Sequence, residues 1–148
     1  DGFLTATFRD RHRQFEAVQG QTSVAANAMA LSRYPELIDR LRALDVEFVA
    51  HGEAQTRMLS SAMTEAEERA AIERVIEAFE THLGERPEGW LGPDSGESTR
   101  TPGLLAEAGF RYLLDWPNDD QPFPMTTEPP PAVRSSSPSM SAIIASWL

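Results

Sequence analysis

The 148-residue sequence contains no cysteine, which excludes a disulfide scaffold, a thiolate-ligated zinc or iron–sulfur centre and a cysteine nucleophile. Lysine is absent as well, since all 13 basic residues are arginine. Schiff-base and lysine-nucleophile mechanisms fall with it. No stretch approaches the roughly 20 apolar residues of a membrane span. The start Asp1-Gly2-Phe3-Leu4 has no basic segment leading into an apolar one, so nothing marks export and the cytoplasm is the expected compartment. Positive charge is scarce: 13 basic residues against 23 acidic ones leave a net charge of -10. That charge is spread along the chain, which disfavours nucleic acid and anionic membranes as partners.

What the sequence does hold is an ordinary 41% of hydrophobic residues, enough for one globular core, arranged as short apolar runs alternating with amphipathic stretches. Thr22 to Ala28 reads as a strand. Ser32 then caps a helix with Pro35 near its first turn and Leu37, Ile38, Leu41 and Leu44 on one face. Val46 to Ala50 is a second strand, ending at His51-Gly52. Thr64-Glu65-Ala66-Glu67 has the spacing of a capping box, and Ile72, Val75, Ile76, Phe79 and Leu83 recur at helical intervals up to Gly84. Glu68, Glu73, Arg74, Glu77 and Glu80 read as the solvated face of that helix, and His82 falls in its last turn, where the helix dipole favours a cation. Glu88 to Pro93 predicts a third strand, Thr101-Pro102 a helix start closed by Gly109, and Phe110 to Asp115 a fourth strand. The resulting β-α-β-α-β-α-β run demands a parallel sheet with right-handed crossovers.

Residues 1–21 lack a clean period and residues 126–148 hold six Ser and four Pro. The expected α/β domain is therefore 22–125, between a poorly patterned N-terminal segment and a Pro/Ser-rich tail. Pro117, Pro122, Pro124 and Pro129 to Pro131 argue against regular structure after Trp116.

Ligands of parallel α/β sheets bind at the carboxyl ends of the strands. His51, Asp94 and Asp115 stand at three such ends and are the candidates for acid–base or metal chemistry. A turn residue and a helix cap would explain them structurally. Only one histidine lies in the region, whereas zinc normally takes three protein ligands. The phosphate-loop, dinucleotide and nucleophile-elbow motifs are all missing.

The segments Glu47-Phe48-Val49-Ala50-His51-Gly52, Arg86-Pro87-Glu88-Gly89-Trp90-Leu91-Gly92-Pro93 and Asp115-Trp116-Pro117-Asn118-Asp119-Asp120-Gln121-Pro122, with the helix Thr64 to Gly84 between the first two, resemble the polysaccharide deacetylase family over residues 22–125. Gly89-Trp90, Gly92, Ser95 or Ser98, Thr99-Arg100 and Asn118 to Pro122 are similar to the branch that includes cofactor-independent allantoinases. The resemblance implies a distorted (β/α) barrel that hydrolyses a carbon–nitrogen bond outside peptides, in an N-acetylated sugar or a cyclic amide. A full barrel takes about 250 residues, so a partial, truncated barrel is expected here. By position His51 matches the first histidine of the family's metal-binding pair, and Gln55 stands where the second would be. In the deacetylase members a divalent metal such as zinc polarises the amide and activates water. Leu91 replaces the arginine of the third motif, the closing Leu-x-x-His motif is not found, and Thr7-Phe8-Arg9-Asp10 is read as a chance likeness to the first motif.

The reading that follows has His51 binding or polarising substrate or metal, with Asp94 and Asp115 as further catalytic residues. Trp90 and Trp116 would wall the pocket, and Arg100 would hold a substrate carboxylate or carbonyl. The implied partner is a small molecule or carbohydrate, and oligomerisation is left open. The rival readings are a non-catalytic carbohydrate- or ureide-binding module, whose cleft Phe123 would also line, and an inactive truncated domain.

Overall fold

The computed structural model describes residues 22–115, 123–125, 127 and 142–144. Strand β1 (Ser23–Ala26) lies parallel to β2 (Glu47–Ala50) in the register Ser23 to Glu47 and Ala26 to Ala50. β3 (Gly89–Trp90) joins β2 through Ala50 and Trp90, and β4 (Tyr112–Leu113) continues beside β3. β6 (Ala142–Ile144) extends the parallel set, while β5 (Phe123–Met125) runs antiparallel at the edge, giving the order β1-β2-β3-β4-β6-β5. Crossover connections set the first four strands in one direction. The sheet does not close on itself among the described residues, so the architecture is α/β, a partial (β/α) barrel.

The proline-rich stretch is not wholly irregular, because β5 contains Pro124. An edge strand tolerates proline, having one side on which no amide needs a partner.

Helix α1 (Ala28–Arg33) begins one residue after Asn27, whose side chain accepts the Ala30 N–H at 2.8 Å. Tyr34 interrupts the helix before α2 (Pro35–Arg42), because proline disfavours helical geometry in the residue ahead of it. The helix expected after Ser32 is α2, whose N-cap is Tyr34 with no side-chain cap, while Ser32 lies inside α1 and its hydroxyl donates back to the Met29 carbonyl at 3.0 Å. Helix α3 (Glu65–Leu83) has the expected capping box: the Glu67 N–H donates to the Thr64 hydroxyl at 3.3 Å, and the Thr64 N–H to the Glu67 carboxylate at 2.7 Å. It ends at Gly84, with φ 78°. Its inner face of Ile72, Val75, Ile76, Phe79 and Leu83 packs on the sheet, but Glu68, expected in solvent, is fully buried. Helix α4 (Thr101–Ala108) closes at Gly109. Thr101 lies inside this helix rather than capping it.

The core lies between the sheet and the helices, with Trp90 packed edge-to-face on Phe110 at 5.6 Å. No helix among the described residues is long and apolar enough to cross a membrane.

On the other face Tyr112 lies over Gly89, and a Cβ placed there would come within 2.1 Å of its ring. The ring cannot easily withdraw, because its hydroxyl donates to Glu47, which also accepts from Ser23 at 2.8 Å. Gly89→Ala is expected to lower stability by roughly 1–3 kcal/mol through overpacking, and by much less in a Tyr112→Ala background. Urea unfolding of the two pairs checks this.

Candidate active site

The parallel register brings the ends of β2, β3 and β4 to one level, and the site is built there. His51 follows β2, its N–H donating to the Ala26 carbonyl at 3.0 Å. Gly52 comes next at φ 66°, with Pro93 so close that an added Cβ would sit 2.7 Å from its ring. Only glycine serves there, because both the backbone conformation and the space exclude a side chain. The Gly52 and Glu53 carbonyls accept the Ala28 and Met29 N–H groups at 3.0 Å, which fixes the turn to the start of α1.

The His51 ring is held at both nitrogens. Nδ1 donates to the Leu91 carbonyl at 2.6 Å, and Nε2 lies 2.9 Å from Oε1 of Gln55. A carbonyl only accepts, so Nδ1 carries a proton in either charge state of the ring. Nε2 then accepts from the Gln55 amide when the ring is neutral and donates to the amide oxygen when it is protonated. Rotation of the amide serves both states.

Asp115 follows β4 and is 2% exposed. Its Oδ1 accepts the Gly92 N–H, and a Cβ on Gly92 would come within 3.0 Å of Oδ2 and 2.9 Å of the Gly96 carbonyl. Burial pushes the Asp115 carboxyl up to about 6, against the Gly92 N–H, the positive charge of His51 and the Trp90 indole, which all favour ionisation. Trp90 Nε1 and Asp115 Oδ2 stop short of completing a hydrogen bond.

His51 and Asp115 therefore come together across the end of β3, as the sequence suggests. Asp94 does not join them. It lies exposed in the turn Pro93–Ser95, and no hydrogen bond or ion pair links its side chain to another described residue. Trp90 is 1% exposed and packs in the core, and it also lines a cavity of about 400 Å³ together with Gly52, Met63, Arg74 and Val75. Arg100 Nη2 donates to Glu68 at 2.5 Å and to the Met63 carbonyl at 2.7 Å, which ties its guanidinium to the start of α3. Trp116, Asp119 and Asp120 lie outside the described residues, as does Thr7-Phe8-Arg9-Asp10.

Two contributors escape the sequence reading. The Leu91 carbonyl and Gly92 N–H are backbone groups that no motif reveals. Glu68 had a visible signal, standing four and seven residues before Ile72 and Val75 and so on the buried stripe of α3.

The donor set does not fit the metal implied by the resemblance. Among the described residues no three His, Cys, Asp or Glu side chains converge. His51 Nε2 faces an amide, and Asp115 is turned to the Gly92 N–H.

No protein-family model matches the sequence, and no curated protein does. Solved structures do match. Puue allantoinase is 27% identical with a TM-score of 0.70, and the alignment covers 92% of this chain and 41% of that one. A Pseudomonas aeruginosa PAO1 protein assigned as a polysaccharide deacetylase is 27% identical with a TM-score of 0.69, over 92% and 42% of the two chains. A Mycobacterium smegmatis protein with the same assignment has a TM-score of 0.74 at 24% identity, over 92% and 42%. The chain thus spans about two-fifths of the length of these relatives.

The raised Asp115 carboxyl makes a testable demand. The folded state holds this proton more tightly than the unfolded state, so the contribution to stability is full below the ordinary value of 3.8 and is lost as pH rises through about 6. The stability of the wild type relative to Asp115→Asn should fall by about 2 kcal/mol between pH 4 and pH 7. Urea unfolding across that range measures it, and a flat difference would mean that Asp115 titrates normally.

The chain is thus similar in fold to Puue allantoinase and to proteins assigned as polysaccharide deacetylases, at 24% to 27% sequence identity.

Proposed function

We propose that this chain carries the strand-end chemistry of a metal-independent hydrolase acting on carbon–nitrogen bonds outside peptides, in a cyclic ureide or an N-acylated sugar. The observation that carries the reading is the fixed His51 ring, pinned through Nδ1 with Nε2 opposed by an amide at 2.9 Å. Relatives named as an allantoinase and as polysaccharide deacetylases supply the two substrate classes.

In this reading the attacking water displaces the Gln55 amide from His51 Nε2, which takes the water's proton as the water oxygen bonds to the amide carbonyl carbon. The same nitrogen returns the proton to the departing nitrogen as the carbon–nitrogen bond breaks. The Leu91 carbonyl keeps Nδ1 protonated, which leaves Nε2 as the only basic position on the ring. Asp115, buried behind the ring, favours the transient imidazolium when ionised and acts as a positioning residue. Gln55, displaced from Nε2 by the water, offers an amide N–H to the substrate carbonyl oxygen, an uncharged donor where a metal would otherwise polarise that atom.

A second reading, a binding module for sugars or ureides, draws support from the same contacts, since both ring nitrogens of His51 have partners within the protein. Turnover separates the two. The purified chain is assayed with allantoin for ring opening and with an N-acetylated chitin oligomer for acetate release. His51→Ala is expected to lose roughly 100-fold or more in kcat while its circular-dichroism spectrum shows that the chain still folds. Equal turnover by wild type and variant would overturn the role of His51, and saturable binding without any turnover would favour the module.

A further inference from the structure

We propose that Glu68 is a positioning residue of the His51 site, acting at a distance by clamping the loop between β3 and α4; its catalytic consequence rests on the hydrolase reading above. Glu68 sits near the start of α3 with no exposed surface. Its Oε2 accepts from the Ser98 hydroxyl at 2.9 Å and the Thr101 hydroxyl at 2.8 Å, and its Oε1 from Arg100 Nη2 at 2.5 Å. Thr101 in turn accepts the Ser98 N–H at 2.8 Å, and the Ser98 hydroxyl accepts the Arg100 N–H at 3.1 Å. Donors face both carboxylate oxygens, so the cluster is built around two acceptor atoms, which an amide, with only one, cannot reproduce.

The clamped loop needs such an anchor. Within it Asp94 and Ser95 have φ of 54° and 52°, consecutive left-handed conformations in residues other than glycine. Backbone of that kind persists only where its surroundings over-determine it. Upstream the loop is tied to the sheet, and downstream Glu68 holds Ser98, Arg100 and Thr101. Between these anchors the same loop carries the two backbone groups that set the site, the Leu91 carbonyl on His51 and the Gly92 N–H on Asp115. A carboxylate placed for stability alone would be better replaced by an apolar side chain. Here it fixes geometry: without it the strained turn relaxes, and the Leu91 carbonyl loses its grip on Nδ1.

The test reads the ring directly. The sequence has three histidines, so the His51 nitrogens can be assigned in 15N spectra of the full chain. The wild type is expected to show the Nδ1–H tautomer. Glu68→Gln should shift His51 toward the Nε2–H tautomer at temperatures where the variant is folded, and adding Asp94→Gly, which relieves the left-handed strain, should restore the wild-type pattern. Turnover should follow, with kcat down about 10-fold or more and KM within about 2-fold. If Glu68→Gln does not fold, Ser98→Ala, which leaves Glu68 two donors, is read in the same way. A folded variant with an unchanged His51 tautomer overturns the proposal. A wild-type chain without turnover overturns the hydrolase reading instead, and the tautomer comparison still decides the role of Glu68.

Discussion

The hydrogen bond from His51 Nδ1 to the Leu91 carbonyl, at 2.6 Å, is the constraint on which the site depends. It joins the end of β2 to the end of β3 and fixes which ring nitrogen carries the proton. It exists because the parallel register sets Ala50 beside Trp90, so that the next residue of each strand meets its neighbour. Gly52, Gly92 and Gly96 are the complement of that closeness: each leaves room where a side chain would strike Pro93, Asp115 or Met58. The strand ends can approach because these positions carry no side chain.

The second consequence concerns charge. Asp115 is buried beside a histidine, and burial pushes its carboxyl up to about 6. Gln55 Oε1 lies 2.9 Å from the ring's Nε2. Both features fit the proposed reading, in which hydrogen bonds and proton transfer do the work. Among the relatives, Puue allantoinase shares this fold at a level of identity equal to that of one deacetylase neighbour.

Much of the scaffold was legible in the sequence because local signals and the tertiary fold agree. The capping box at Thr64, the stop at Gly84 and the strand ending at His51 all reappear in place. The failures come where tertiary packing overrides a local pattern. Glu68 looks like one more charge on an acidic face until the loop thirty residues later supplies its donors. Arg100 reads in the sequence as a cation suited to ligand binding, and in the fold its Nη2 is engaged by Glu68. Pro124 argued against a strand, and the edge position permits one. The pairing of His51 with Asp115 was anticipated from strand ends alone. The backbone groups that hold both could not be, because hydrogen bonding by Leu91 and Gly92 leaves no trace in residue type.

Thermal unfolding of the chain with and without a large excess of zinc tests the central claim, that this site works by a fixed histidine and an amide rather than by a bound metal. A ligand that binds only the native state must raise its melting midpoint. The account predicts one cooperative transition whose midpoint does not move with zinc. A midpoint that climbs steadily with zinc concentration in the wild type, and not in His51→Ala, would contradict it.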